Sequence, residues 1–220
     1  MSVLIDEKLT QEFLSLLETN ENDICFISIA LRRKYYPELE KEKVFLHRFI
    51  SKKKHLINDL KNLPSQFFYK GQPVPNDALV VWFKINHRSL KKATRDAMKV
   101  LTDNLYSDKV ENPLEVTLNA LQEACDKVKY QSFDYDVTNE NVETTLEQIY
   151  VAVNQDATFV VKTKNGFHLI VDVTKIDKEH KNYYNNLVKI KGIDQKGDIN
   201  VPLAGCVQGG YIPHILKKFS

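Results

Sequence analysis

The first part of the chain carries its apolar residues mainly at helical spacing. Over residues 7–18 they recur every three or four positions, which predicts an amphipathic helix. Residues 24–31 form a short apolar run that fits a buried strand or a helix equally well. A second helical pattern covers residues 38–62, and the prolines and glycine between residues 64 and 75 then predict a loop. We therefore expect residues 1–75 to form a mostly helical N-terminal region.

A dense apolar segment at residues 79–85 predicts a buried strand near the start of the second region, residues 76–220. Ser89 is a favourable N-cap for a helix that follows this strand. Another helix is predicted over residues 113–129, because Pro113 suits a first helical turn and apolar residues repeat at helical spacing behind it. This second region is the predicted core of the protein.

From residue 131 onward, strands and helices alternate more tightly. The predicted elements are strand 131–137, helix 140–153, strand 158–163, strand 167–173, helix 176–190 and strand 198–203. This βαββαβ order is that of ferredoxin-like and RNA-recognition (RRM) folds, in which the first and third strands are central antiparallel neighbours and the last strand borders the first. The predicted fold class is therefore α+β, with a ferredoxin/RRM-like βαββαβ unit at about 131–205 combined with an N-terminal, mostly helical α/β unit.

The composition excludes several classes of protein. Hydrophobic residues make up 43% of the 220-residue chain and charged residues 27%, as in ordinary globular domains. The 31 Lys and Arg residues nearly balance the 29 Asp and Glu residues, so any nucleic-acid-binding surface must be local. Three scattered cysteines suit neither a disulfide framework nor a cysteine-based zinc site, and they favour a cytoplasmic location. Because there is no signal-peptide pattern and no apolar run of about eighteen residues, we expect neither secretion nor membrane association.

The most informative polar positions lie in the predicted strand Phe133-Asp134-Tyr135-Asp136-Val137. Because side chains alternate along a strand, Asp134 and Asp136 share one face and the three apolar side chains share the other. Two adjacent carboxylates repel each other and raise each other's pKa, and a bound divalent cation would relieve that cost. The alternative interpretation is a solvated strand face without chemistry.

A histidine and a further carboxylate are predicted to lie beside this pair. His168 belongs to the third strand of the unit, next to the strand that carries the aspartates. Asp198 lies on the last strand, which borders the first strand on its other side, and Asp194 is the competing candidate for this position. Four side chains are therefore expected to converge on one open surface of the sheet: Asp134, Asp136, His168 and Asp198.

These motifs resemble those of the archaeo-eukaryotic-type primase and primase-polymerase superfamily, in particular its compact phage and plasmid members. In that family one strand ends in a hydrophobic-Asp-x-Asp motif, a second carries small-x-His, and a third contributes another acidic residue. Phe133-Asp134-Tyr135-Asp136 matches the first motif and Gly166-Phe167-His168 matches the second. Residues 81–88 look like the strand and Asn-x-Arg turn that often precede them. Residues 201–206 resemble the segment after the third motif, but with Val, Ala and Cys where Arg, Pro and Thr are common.

What the resemblance implies is template-directed nucleotidyl transfer with two divalent metal ions, Mg²⁺ or Mn²⁺. It implies that Asp134, Asp136 and Asp198 hold the metals and that His168 contacts the triphosphate of the incoming nucleotide. Further candidates are Lys162, Lys164, Gly166 and Gln208 for the nucleotide, and Arg88, Lys91 and Lys92 for the nucleic-acid backbone. The expected partners are a single-stranded template, nucleoside triphosphates and a separate helicase or replication protein, in the replication of a mobile element or phage.

Two other functions fit the same residues. A catalytically inactive relative would keep the fold as a nucleic-acid-binding module, which the divergent segment 201–206 favours. A metal-dependent nuclease or phosphoesterase would use clustered Asp and His residues for hydrolysis. The absence of a Ser-His-Asp order, a Gly-x-Gly-x-x-Gly turn and a Walker loop argues against acyl transfer, dinucleotide binding and P-loop hydrolysis.

Overall fold

The computed structural model describes residues 5–18, 20, 22–107, 111–125, 127–138 and 141–218, which form an α+β fold. Its helices are α1 (Glu7–Leu16), α2 (Leu56–Lys61), α3 (Leu90–Leu105), α4 (Pro113–Glu123), α5 (Val142–Ala152) and α6 (Tyr183–Leu187). Its strands are β1 (Ile24–Arg32), β2 (Lys43–Lys52), β3 (Phe68–Tyr69), β4 (Gln72–Pro73), β5 (Leu79–Lys84), β6 (Tyr130–Asp136), β7 (Thr158–Thr163), β8 (Gly166–Asp172), β9 (Ile193–Gly197), β10 (Asn200–Pro202) and β11 (His214–Lys218). Among these residues, no helix has both the length and the hydrophobicity to cross a membrane.

The first sheet has the strand order β10-β5-β1-β2, with antiparallel neighbours throughout. Its central strands β1 and β5 are buried along almost their whole length, which explains their continuous apolar runs. The sheet combines strands from both predicted regions, so the predicted boundary between residues 1–75 and 76–220 runs through it. Strands β3 and β4 form a separate two-stranded hairpin.

The second sheet has the strand order β11-β7-β8-β6-β9, again antiparallel throughout. Helices α5 and α6 cover one of its faces, where Phe133 and Tyr135 of β6 and Phe167 of β8 are fully buried. The predicted strands at 131–137, 158–163 and 167–173 are confirmed as β6, β7 and β8. The predicted start of the next helix, residue 140, lies outside the described residues, and α5 is described from Val142.

The main hydrophobic core lies between the two sheets. Ile29 of β1 and Val81 of β5 pack there with Ile170 of β8, and Phe13 of α1 closes the core from the side. Helices α3 and α4 cover part of the other face of the first sheet, around Phe26. The face of the second sheet that carries His168 was expected to be open. It is largely covered by the first sheet instead, because hydrophobic side chains such as Ile170 share that face.

The prediction of a mostly helical N-terminal region was wrong. Residues 43–52 form strand β2, whereas a helix was predicted over residues 38–62. The helix prediction failed because β2 has a β-bulge at Leu46, which interrupts the alternation of its side chains between the two faces of the sheet. As a result, Val44, Leu46 and Phe49 all pack towards the same core, a spacing that imitates a helix.

The last two predicted elements also differ from the structure. Residues 193–197 pair with β6 in the second sheet, whereas residues 200–202 pair with β5 in the first, so a single strand over 198–203 does not form. The chain changes sheet just after Gly197, whose φ of +103° a non-glycine residue rarely adopts. The helix predicted over 176–190 is limited to α6, with turns on both sides.

Candidate active site

Strands β6 and β8 bring the predicted Asp-x-Asp pair and the histidine together. Asp134 and Asp136 lie on the face of β6 opposite to the side chains that are buried under α5 and α6. His168 is directly across from Asp134 in the strand pairing, and its Nε2 lies 3.3 Å from Asp134 Oδ1. All three side chains line one pocket. Their predicted convergence is therefore confirmed.

Ser132 extends this contact on the other side of the imidazole ring, with its Oγ 3.1 Å from His168 Nδ1. Burial, with a smaller contribution from the charge of Lys34, lowers the pKa of His168 from 6.5 to about 3, so the ring is neutral. When Asp134 is ionised, Nε2–H donates to its carboxylate while Nδ1 accepts from the Ser132 hydroxyl. The imidazole therefore fixes the orientation of the Asp134 carboxylate.

The carboxyl group of Asp134 titrates far above its ordinary range. Burial raises its pKa from 3.8 to about 7, and the charges of Asp136 and Asp194 add to the effect. Lys34 and Arg32 act in the opposite direction but do not cancel it. Strongly raised carboxyl pKa values are concentrated at functional sites, because such sites gather like charges in partly buried positions.

The structure separates the two candidates for the third carboxylate. Asp198 accepts hydrogen bonds from both terminal nitrogens of Arg88 at 3.0 Å and from Asn86 at 2.9 Å. Although burial acts to raise the pKa of Asp198, these bonds and the Arg88 charge lower it overall. Asp198 is an anchor within the fold, so its assignment as a metal ligand was wrong. Asp194, the extra residue of a bulge where β9 pairs with β6, is near enough to raise the pKa of Asp134.

The residues assigned to the nucleic-acid backbone lie away from this pocket. Arg88 is 2% exposed and its guanidinium is bound to Asp198 and to backbone carbonyls, so its assignment was wrong. Lys91 and Lys92 belong to the first turn of α3, and neither lines the pocket. The Lys92 ammonium donates to the Cys125 carbonyl oxygen at 2.7 Å.

The two lysines assigned to the nucleotide, Lys162 and Lys164, are also placed differently from the prediction. Lys162 is paired with Phe167, and strand alternation places it on the face opposite to His168. Lys164 donates from its Nζ to the Gly209 carbonyl oxygen at 2.7 Å. The assignment of Lys162 to the nucleotide was therefore wrong, and the Lys164 ammonium is held by the protein backbone.

Gly166 and Gln208 do lie at the site. A Cβ on Gly166 would come within 2.0 Å of the Tyr135 carbonyl oxygen, so only glycine allows β8 to start opposite Asp136. Gln208 lines the pocket and is 6% exposed. Its Oε1 is buried and has no hydrogen-bond partner in the described part of the chain. A donor group in the pocket would satisfy this carboxamide after a rotation of its soft terminal torsion.

Sequence reasoning missed the basic and aromatic side of the pocket. These residues come from β1 and the turn that follows it, from β2 and from β5: Arg32, Lys34, Tyr35, Lys43 and Trp82. Trp82 belongs to the segment 79–85 that was predicted to be a buried strand, and it is indeed 8% exposed. The available signal was the run of basic and aromatic residues at 32–36, directly after an apolar strand.

The pocket has a volume of about 200 Å³ and is lined by residues of both sheets. No group of three or more His, Cys, Asp and Glu residues is arranged to hold a metal ion within the described ranges. Asp134 and Asp136 nevertheless suit Mg²⁺ or Mn²⁺, because Mg²⁺ is usually held by one or two carboxylates together with substrate phosphates and water. Burial and the neighbouring acids both raise the Asp134 pKa, and a bound cation would offset the cost of ionising this carboxyl group.

Comparisons with protein-family models, with curated proteins and with solved structures found no match. The chemistry of the pocket is therefore the basis for assigning a function. It combines a carboxylate pair, a neutral imidazole that orients one of the carboxylates, and cations on Arg32 and Lys34 whose charges reach Asp134. Such a set suits a divalent metal ion bound together with a phosphate-bearing substrate.

Proposed function

We propose that the protein is a nucleotidyltransferase of the primase-polymerase type, which extends nucleic acid on a single-stranded template with Mg²⁺ or Mn²⁺. One observation carries the proposal. Asp134 and Asp136 lie in the same pocket as Arg32 and Lys34, and His168 holds Asp134 from the neighbouring strand. Acidic groups for a metal ion and basic groups for phosphates are thus brought together.

The second sheet supports this proposal. Its strand order β9-β6-β8-β7, with α5 and α6 on one face, agrees with a ferredoxin-like or RNA-recognition-like unit. The first and third strands of that unit are β6 and β8, which carry the acid pair and the histidine. The remaining strand, β11, extends the sheet beside β7.

Each charged side chain has a distinct role in this proposal. Asp134 and Asp136 would hold the metal ion, which would supply positive charge at the reacting α-phosphate. Arg32 and Lys34 neutralise the triphosphate, a function in which cations at the reacting phosphates commonly contribute several kcal/mol. His168 keeps the Asp134 carboxylate in position, and its neutral ring adds no charge.

A catalytically inactive nucleic-acid-binding module is the second candidate, and the position of Asp198 favours it. The third carboxylate predicted from the sequence is committed to Arg88. Asp194 can take its place only from an exposed position on β9. A site with two carboxylates can bind a metal and nucleotide without catalysing transfer.

Incorporation of labelled nucleotides on a single-stranded template, in Mn²⁺ or Mg²⁺, tests the proposal. We expect incorporation by the wild-type protein and its loss in Asp134→Asn and Asp136→Asn. The matched control is Asp103→Asn, which removes the same charge from an exposed position on α3, outside the pocket.

Four outcomes separate the candidate functions. Incorporation lost only in the two pocket variants supports the proposal, and incorporation that survives in both overturns the role of the acid pair. Nucleotide binding without incorporation in the wild type indicates the inactive module. Degradation of the template, lost in the same two variants, indicates a nuclease.

A further inference from the structure

A groove runs along β2, the edge strand of the first sheet. Strand β2 forms one wall, and the N-terminal part of α4 forms the other. The volume of the groove is about 620 Å³. Its lining includes Lys41, Lys43, Phe45, His47, Arg48 and Leu118. Sequence reasoning assigned no function to any of these residues, and it placed all of them in predicted helices.

The groove adjoins the candidate active site. Lys43 lines both the groove and the pocket that holds the acid pair. Phe45 in the groove contacts Trp82 of the pocket edge-on, with 6.0 Å between the ring centroids. The Lys43 ammonium lies 5.7 Å from each of these two centroids. A chain lying in the groove would therefore reach the acid pair without leaving the protein surface.

The charge of the groove is positive. Lys41 and Lys43 are exposed, and the Arg48 guanidinium lies over the Phe45 ring at 5.1 Å from its centroid. The acidic side chain that lines the groove, Glu115, is paired with Arg48. The two lysines therefore remain to attract an anionic ligand, and the Phe45 ring beside Lys43 offers apolar contact.

A concave, basic groove that contains aromatic rings suits single-stranded nucleic acid. Proteins that bind single strands combine a positive groove along the phosphates with rings that contact the bases. Duplex DNA is usually read by a helix or ribbon that projects into its major groove, and this surface is recessed instead. A template for nucleotidyl transfer must also be unpaired where it meets the incoming nucleotide.

We propose that the β2–α4 groove holds the single-stranded template and leads it to Asp134 and Asp136, an inference that rests on the proposed function. Lys41 and Lys43 contact the phosphates, and the bases lie against Phe45 and the edge of Trp82. The template path therefore differs from the one expected at Lys91 and Lys92 of α3.

Intrinsic fluorescence provides a direct test, because Trp82 is the only tryptophan of the chain. Unlabelled single-stranded DNA and RNA oligonucleotides are titrated in parallel, and we expect either strand to change the Trp82 emission. The double variant Lys41→Gln/Lys43→Gln should weaken binding about tenfold or more and reduce the salt dependence by about one power of salt concentration per lysine. The matched control is Lys99→Gln/Lys178→Gln, which removes two exposed charges that line neither the groove nor the pocket. It should leave the affinity within about twofold of the wild type.

The outcomes also distinguish this inference from the proposed function. Equal weakening in both double variants would indicate general charge attraction and overturn the groove assignment. Oligonucleotide binding without any change in Trp82 emission would show that the nucleic acid binds elsewhere, and it would also overturn the groove assignment. Binding of an extended peptide to the free edge of β2, with no oligonucleotide binding, would assign the groove to a protein partner. If oligonucleotides bind in the groove but triphosphates do not bind at Asp134 and Asp136, the proposed function fails and the groove assignment stands.

Discussion

Asparagine substitutions at Asp198 and Asp134 should change the stability of the protein in opposite directions. Both remove one charge with almost no change of shape. Asp198 compensates the buried cation of Arg88, whereas Asp134 is partly buried beside two other acids. The two variants therefore distinguish a carboxylate that stabilises the folded protein, Asp198, from one that destabilises it when ionised, Asp134.

The expected loss for Asp198→Asn follows from the surroundings of Arg88. The Arg88 side chain is fully buried, and two of its N–H groups donate to the backbone carbonyls of Asn86 and Gln122. The other hydrogen bonds described for its guanidinium go to Asp198. Removing one partner of a buried ion pair typically costs about 3–5 kcal/mol. Asparagine keeps one acceptor oxygen, and the Asp198 side chain is 20% exposed to water. We therefore expect a loss of about 2–4 kcal/mol in the free energy of unfolding.

The expected gain for Asp134→Asn depends on pH. Burial and the neighbouring acids raise the pKa of Asp134 from 3.8 to about 7. A raised pKa contributes stability that is fully present below pH 3.8 and is lost as the pH rises through about 7. Above pH 7 the wild type therefore carries the full cost of the ionised group, which the variant lacks. The variant should gain little at pH 4 and at most about 4 kcal/mol at pH 8.

Urea unfolding followed by Trp82 fluorescence at several pH values measures both differences. The pKa of Asp198 is lowered, so its contribution is fully present above about pH 4 and is lost only as the pH falls through the lowered value. The deficit of Asp198→Asn should therefore be the same at pH 5 and pH 8. An Asp198→Asn protein as stable as the wild type would refute the anchor role. An Asp134→Asn protein that is less stable than the wild type at pH 8 would refute the charge-repulsion argument.

Two further predictions concern the metal and the backbone near the pocket. Because Mn²⁺ must displace the proton of Asp134, its affinity should rise by up to about tenfold per pH unit up to pH 7 and then level off. Calorimetric titration measures this, and a flat profile would contradict it. Gly209→Ala should destabilise the protein more than the control Gly71→Ala in thermal unfolding, by about 1–2 kcal/mol or more. Both glycines have positive φ, but only at Gly209 would a Cβ meet another side chain, at 2.4 Å from the Tyr35 ring.

Three strands of the second sheet, β6, β7 and β8, and the acid pair could be predicted because their signals are local. Phe133 to Asp136 alternate regularly, and His168 follows a tight Asn-Gly turn that fixes its strand next to β7. Alternation alone then assigns each side chain to a face. To predict that Asp134, Asp136 and His168 converge, only the order of the strands in the sheet was needed beyond this alternation.

The remaining features depend on contacts that no local pattern reveals. The residues around Asp198 alternate between polar and apolar as in a strand, and this pattern does not reveal the role of Asp198. That role is set by the ion pair with Arg88, which lies 110 positions away in the chain. The basic side of the pocket comes from the end of β1, the turn after it and the start of β2, which reach the acid pair only through the packing of one sheet on the other. A single bulge at Leu46 was enough to turn a strand pattern into an apparent helix.

The closure of the first sheet by β10 has a consequence for biosynthesis. Strand β1 emerges early from the ribosome, but the sheet is complete only when residues 200–202 add to β5. Until then β5 exposes an unpaired apolar edge, and such edges promote aggregation. Folding during translation should therefore stall at a partly formed intermediate, and the yield of native protein should respond strongly to chaperones that shield this edge.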